Sequence, residues 1–333
     1  MRLSLAMQAV IAAWEAGEVP CLSGEPGVGK TDAIFAAAKK LRREVHVTKN
    51  LVMDDPTEFK GYGFPDHEKG VTSILPMGWA KRLNTLAPGV VFMDELGQAL
   101  QSTMCATAPM FQADPLGRRR IGEMHVTVPH YFAAATNLRE HRSCVQQMPD
   151  FFARRLVDVP VDFNYEDWDK WAVTNDIHPF VLAYGRTKGE KIHQYVPGKR
   201  CPLAASWTKV SKFEKLELPN DVVRVLIQGT IGVEAAAEYW VLREMTEKLP
   251  SLPDILRGKP ASVPSTKALQ YLVVCILATR VDHKTLGNAL KYMDDYPGEL
   301  RSVFVQDVEA KNADFATHDE ILKYHSKYSN RKV

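Results

Sequence analysis

The chain reads as an α/β protein: an open parallel sheet carrying a glycine-rich loop, followed by a region built of helices. Three observations predict this. A complete G-x-x-x-x-G-K-[ST] pattern, Gly24–Thr31, stands between a short apolar run and an Ala-rich stretch. Two later apolar runs, Val90–Met93 and Tyr131–Ala135, end in the polar residues Asp94-Glu95 and Thr136-Asn137. Ligands of open parallel sheets gather beyond such strand ends. After Pro160 the apolar residues take up helical spacing.

The loop is the most specific signal. Its glycines let the backbone curl so that several N–H groups converge on an anion. Lys30 brings a cation to the β- and γ-phosphates of a nucleoside triphosphate, and the Thr31 hydroxyl is placed to ligate Mg²⁺. The run Val19-Pro20-Cys21-Leu22 suits a short buried strand, and Thr31 to Leu41 suits a helix whose N-terminal dipole faces the phosphates. Candidate nucleotide contacts are Gly24, Glu25, Pro26, Gly27, Val28, Gly29, Lys30, Thr31 and Asp32. Residues 4–14 are too short to span a bilayer, and they are predicted to be a helix beside this pocket.

Val90-Val91-Phe92-Met93 predicts a buried strand with two carboxylates at its end. Asp94 would complete the Mg²⁺ shell, and Glu95 would polarise a water for in-line attack on the γ-phosphate. The competing reading is a strand ending in a solvated acidic turn. Asn137 ends the next predicted strand, and its amide can both donate and accept, which suits orienting that water; an Asn that only starts a turn is the alternative. Arg154 and Arg155 directly precede another strand-like run, Leu156–Val159. A guanidinium can stabilise charge on a transferring phosphoryl group, or it can be a solvated surface cation.

Composition narrows the class. The 333 residues suggest two domains, with 45% hydrophobic and 25% charged residues and a net charge of +2. Five cysteines (21, 105, 144, 201, 275), odd in number and without C-x-x-C spacing, point to a reducing compartment and a cytoplasmic protein without disulfides or zinc. The histidines 67, 125, 130, 141 and 178 show no ligand spacing, so Mg²⁺ is the only metal expected. In the second half, Trp168 to Val173 has helical spacing with a proline stop at Pro179, and residues 221–248 and 266–280 read as helices. The tryptophans and tyrosines there are expected in the core rather than on a base-stacking surface.

The order of glycine loop, Asp-Glu strand, Asn strand and arginines before a further strand resembles that of the AAA+ ATPases, and within them the MoxR-type branch. The resemblance covers about residues 15–163. It implies an αβα sandwich around a five-stranded parallel sheet in residues 1–163, followed by an all-helical lid in 164–333. By that resemblance Gly24–Thr31 is Walker A, Asp94-Glu95 is Walker B, Asn137 is sensor one and Arg155 is the arginine finger, with Arg154 as its companion. Asp54–Gly61 and Ile74–Trp79 resemble the MoxR helix-two insert, near 55–78. Arg118–Gly122 and His125–Val128 resemble the hairpin before the sensor strand, near 114–128. The resemblance further implies ATP and Mg²⁺, a homo-oligomeric ring (usually six subunits) and a von Willebrand factor A domain protein as partner; for a phage-encoded member the setting is the host cytoplasm.

One position departs from the pattern. Members of this branch often carry Pro-Arg-Ser-Trp at the start of a lid helix, whereas this chain has Ala204-Ala205-Ser206-Trp207, with Ala205 at the arginine position. Either Lys209 or Arg200 supplies the cation, or the lid is weakly coupled to nucleotide.

Two segments read as working surfaces. Residues 59–74, with three glycines and three aromatics, predict a hairpin whose Tyr62 and Phe64 either face a ring's axial channel or tuck against their own subunit. Arg118, Arg119 and Arg120 would contact nucleic-acid phosphates, an acidic partner or a neighbouring subunit. Three functions follow: an ATP-driven remodelling ring acting on a client protein, a nucleic-acid motor or loader, and a regulatory ring with little turnover.

Overall fold

The computed structural model describes residues 1–138 and 145–329, so His141 and Cys144 lie outside the described residues. The chain divides into two compact units, Met1–Phe163 and Asn164–Val333.

The first unit runs α1 (Leu3–Glu15), β1 (Pro20–Gly24), α2 (Lys30–Lys40), β2 (Val45–Asn50), α3 (Thr57–Lys60), β3 (Tyr62–Asp66), β4 (Val71–Leu75), α4 (Gly78–Leu83), β5 (Val90–Asp94), α5 (Gln101–Thr107), β6 (Arg119–Ile121), β7 (Met124–Val126), β8 (Tyr131–Thr136), α6 (Asp150–Ala153) and β9 (Val157–Val161). Five strands form a parallel sheet in the order β2-β5-β8-β1-β9. The α/β core with five parallel strands and the helical second half are as the sequence predicts.

Side-chain alternation along the strands builds a core on each face of the sheet. Cys21, Val91, Met93, Phe132 and Ala134 face one way and pack with Phe59, Ala80, Leu83 and Met104. Leu22, Val90, Phe92, Ala133, Ala135 and Val159 face the other way and pack with Ala6, Val10 and Trp14 of α1 and Ala33, Ile34 and Ala37 of α2. Each fully buried aliphatic or aromatic side chain contributes about 1.5–3 kcal/mol. Two-sided burial is why β5 and β8 are nearly continuous apolar runs. The Trp14 indole N–H donates to the Phe132 carbonyl at 2.8 Å, tying α1 to the sheet.

Two antiparallel hairpins leave this core. In β3–β4, Tyr62 pairs with Leu75 and Phe64 with Ser73. Tyr62 and Phe64 are 52% and 56% exposed, so they are not tucked against their own unit. The predicted loop begins later than residue 59, because Phe59 and Lys60 belong to α3. In β6–β7, Arg119 pairs with Val126.

The second unit is helical: α7 (Tyr165–Thr174), α8 (Pro179–Lys188), α9 (Ala204–Glu214), α10 (Asn220–Ile231), α11 (Val233–Glu244), α12 (Leu252–Leu256), α13 (Lys267–Arg280), α14 (Leu286–Met293), α15 (Gly298–Lys311) and α16 (Asp319–Ser329). Trp168, Trp207 and Trp240 are buried. Trp207 packs against Tyr184 and Tyr239 with ring centroids 4.9 and 5.7 Å apart. One sequence expectation needs correction. Pro179 starts α8 rather than stopping a helix, because its missing N–H costs nothing in the first turn. Residues 221–248 are helical as expected, in two helices separated at Gly232. Gly232 has φ +84°, and a Cβ there would lie 2.5 Å from the Arg200 carbonyl oxygen.

Candidate nucleotide site

The glycine loop follows β1 and opens α2. Gly24 ends the strand so close to the Val161 carbonyl of β9 that a side chain would collide with it. Gly27 and Gly29 take φ of +77° and +98°, a region that costs other residues energy. The loop therefore turns sharply enough to feed its N–H groups toward the start of α2. Leu3 of α1 comes against Gly29, which places α1 beside the pocket.

Lys30 and Thr31, the first residues of α2, reach across the strand ends. Lys30 is 9% exposed. It donates to the carbonyls of Gly24 (2.9 Å) and Glu25 (2.8 Å) and to Asn137 Oδ1 (2.8 Å). Burial lowers its pKa from 10.5 to about 8, against the opposing pull of Asp94 and then of Cys21, Glu25 and Glu95. Burial likewise raises the Asp32 carboxyl above its ordinary value. The Thr31 hydroxyl donates to Asp94 Oδ2 at 2.8 Å. The strand order makes these contacts possible, because β8 lies between β1 and β5 and brings Asn137 between the loop and Asp94.

Glu95 leaves β5 in the left-handed region, φ 55° and ψ 35°. A non-glycine residue there costs of order 1–3 kcal/mol, and such strain concentrates at functional sites. The turn ends the strand's alternation, and the Glu95 N–H returns to Asp94 Oδ1 at 2.9 Å. Asp94 thus has one oxygen fixed by the turn and the other by Thr31.

Thr31 Oγ1 and Asp94 Oδ2 also suit Mg²⁺. Two neighbouring oxygens of an Mg²⁺ octahedron at 2.0–2.1 Å from the ion lie about 2.9 Å apart, close to the 2.8 Å seen here. Among the described residues no group of three or more His, Cys, Asp or Glu could hold a metal.

Arg154 and Arg155 lie at the opposite end of the sheet. β9 runs parallel to β1, with Val157 beside Pro20 and Val161 beside Gly24. Val157, where β9 begins, is four residues, or about 13 Å, from the level of the loop, and Arg155 stands in the turn before it, farther away than its side chain extends. Its Nε donates to Gln112 Oε1 at 2.8 Å and its Nη1 to the Phe151 carbonyl at 2.9 Å. Arg154 is exposed. So Lys30 is bonded to Asn137 and its neighbour Thr31 to Asp94, Glu95 follows Asp94, and the two arginines stand apart.

The arginine run 118–120 is not a free cationic cluster. Arg118 pairs with Asp114 at 2.9 Å. Arg119 turns inward, donates to the Gly17 carbonyl at 2.7 Å and lies over the Phe132 ring. In the second unit, Ala205 and Lys209 are exposed one turn apart on α9, and Arg200 is exposed before it. Sequence reasoning missed two supporting residues. The Thr136 hydroxyl accepts the Gly97 N–H at 3.2 Å and donates to the Asn137 carbonyl at 3.0 Å, joining the turn after Glu95 to the Asn strand. Its place just before Asn137 was the available signal. Nothing in the pattern marked Gln112.

No described helix is long and apolar enough to cross a membrane. No protein-family model matches the chain, and no curated protein matches it. Among solved structures it is similar to NtrX from Brucella abortus, at 15% identity over 92% of this chain and 67% of that one, TM-score 0.34. It is also similar to NtrX from the same organism in complex with ATP, at 12% identity over 98% of this chain and 66% of that one, TM-score 0.39. The chain thus spans about two thirds of the length of each.

Proposed function

We propose that the chain is an AAA+ ATPase of the MoxR type, which hydrolyses Mg²⁺-ATP in a homo-oligomeric ring (hexameric in this reading) and uses the cycle to remodel a client protein. One observation carries the reading. Lys30, Thr31, Asp94 and Asn137 meet at one end of the sheet, while Arg155 stands at the other end, out of reach of its own loop.

In this reading the triphosphate lies on the loop N–H groups, and the Lys30 ammonium transfers from the Gly24, Glu25 and Asn137 oxygens to the phosphates. Bound Mg²⁺, held by Thr31 and Asp94, would neutralise charge on the phosphate oxygens. Release from Lys30 frees the Asn137 amide to orient water, and Glu95 takes a proton from it. Arg155 of one copy stabilises the transferring phosphoryl group in the next. The exposed β3–β4 hairpin, with Tyr62 and Phe64, is the surface offered to a client, a von Willebrand factor A domain protein by resemblance. The engaged Arg118 and Arg119 weigh against a nucleic-acid motor.

The test compares wild type with Glu95→Gln for ATP binding and for phosphate release. The variant is expected to bind ATP normally and to turn over at least a hundredfold more slowly. Equal, measurable turnover in both proteins would remove Glu95 as the base, and no turnover in either would favour a regulatory ring. Affinity capture with Glu95→Gln in ATP should retain the client.

A further inference from the structure

We propose that Gln112 is a positioning residue for Arg155: it holds the guanidinium through Nε so that Nη2 is presented to a neighbouring copy. The inference rests on the reading of Arg155 as the residue that completes an adjacent site.

A surface arginine carries about 2 kcal/mol of rotamer entropy, which must be lost before it can meet a phosphate in one geometry. Here much of that ordering exists in the isolated chain. Nε is taken by Gln112 Oε1, Nη1 by the Phe151 carbonyl, and the guanidinium lies over the Phe151 ring at 5.3 Å. Among the described residues Nη2 has no hydrogen-bond partner. One of its two N–H groups lies beside the Nε–H and the other points out from the end of the fork, so Nη2 is the corner left for a further acceptor.

Gln112 is held in its turn. Its neighbour Phe111 is buried and meets Phe152 edge to face at 5.5 Å, and Phe152 lies three residues before Arg155. Two adjacent pairs, Phe111–Phe152 and Gln112–Arg155, therefore clamp the segment after α5 to the segment before β9. The residue type also fits. A carboxylate at position 112 would hold the guanidinium more strongly and would cancel part of the charge the phosphoryl group needs. A neutral amide oxygen orients the cation and leaves its charge available.

The experiment measures ATP turnover and nucleotide Kd on the full chain for wild type, Gln112→Met, Gln112→Ala, Arg155→Ala and the Gln112→Met/Arg155→Ala double variant, with assembly state checked for each. Gln112→Met keeps the length and loses the acceptor. It is expected to lower kcat about tenfold or more, as misplacement of a catalytic group does, with Kd unchanged. In the Arg155→Ala background the same change should cost nothing further. If Gln112→Met and Gln112→Ala both turn over within twofold of wild type while Arg155→Ala does not, the proposal is overturned. An equal loss in both backgrounds would show a merely structural role and also overturn it. If Arg155→Ala itself turns over normally, the arginine reading fails, a result distinct from failure of the Gln112 contact.

Discussion

The two ends of the core sheet hold their charges in opposite ways. Where β1, β5 and β8 finish, Lys30 is buried and bonded to Asn137, and Asp94 is bonded to Thr31 and to the turn at Glu95. Where β9 begins, Arg154 faces solvent and Arg155 is tied down through Nε and Nη1. Charges that satisfy one another can be desolvated, and they then act strongly on a ligand that replaces their partners. An arginine held at a surface with unused donors keeps part of its hydrogen-bonding capacity for a group outside its own chain. In the proposed reading the contrast has a use: one chain carries a nucleotide-binding half-site and, at its far edge, the group that would finish a different one.

The largest effect that separates the two ends is on turnover. Arg155→Ala is expected to leave ATP affinity unchanged and to lower turnover about a thousandfold, the lower range for a phosphoryl-stabilising arginine. A fluorescent-nucleotide titration beside a phosphate-release assay checks both halves. Mixing Arg155→Ala with Glu95→Gln protein sharpens the result. Each variant keeps the half the other lacks, so some mixed interfaces regain a full site and activity rises at intermediate ratios. Activity that stays at the floor at every ratio, with mixed assemblies verified, would break the idea that the two ends serve different copies.

The near end was more legible in the sequence than the far end, for a physical reason. Gly24–Thr31, Asp94 and Asn137 each sit at the end of a run made apolar by two-sided burial, so the chain advertises where a strand stops. β2 had no such signal of its own. It is an edge strand paired only with β5, its residues Val45-His46-Val47-Thr48-Lys49-Asn50 are at most half-buried, and five strands were expected only through the family resemblance. The Gln112–Arg155 contact joins residues 43 apart with no periodicity between them. Arg119 shows the limit of reading charge from sequence, since a triple-arginine run suggested an exposed cluster and its middle member is folded inward. The break at Gly232 stood in plain letters, yet the long apolar spacing around it concealed the change of direction.

A smaller effect lies at the near end alone. Lys30→Ala is expected to weaken ATP binding about tenfold to a hundredfold, the equivalent of a charge-assisted hydrogen bond or somewhat more. Asn137→Ala should divide the two properties. It removes one of the three acceptors that hold Lys30 in the empty loop, so ATP affinity should hold or rise slightly while turnover falls. An equal loss of affinity and turnover would mean that Asn137 supports the fold of the loop rather than the water.

The smallest expected effect is a pH dependence, and its sign follows from the burial of Lys30. In the free chain the ammonium pKa is lowered to about 8. Phosphates in the pocket favour the charged form and raise it again. Binding therefore takes up a proton when pH lies between the two values, and affinity weakens as pH climbs past about 8. Below that pH the ammonium is charged in both states, and Lys30 adds no slope. A titration of ATP affinity from pH 7 to 9.5 should show a flat region and then a decline of up to tenfold per pH unit. Lys30→Arg stays charged throughout and should flatten the curve, whatever its absolute affinity. A decline that survives in Lys30→Arg would assign the titration to another group and remove the one pH-sensitive difference between the buried cation at this end and the solvent-facing arginines at the other.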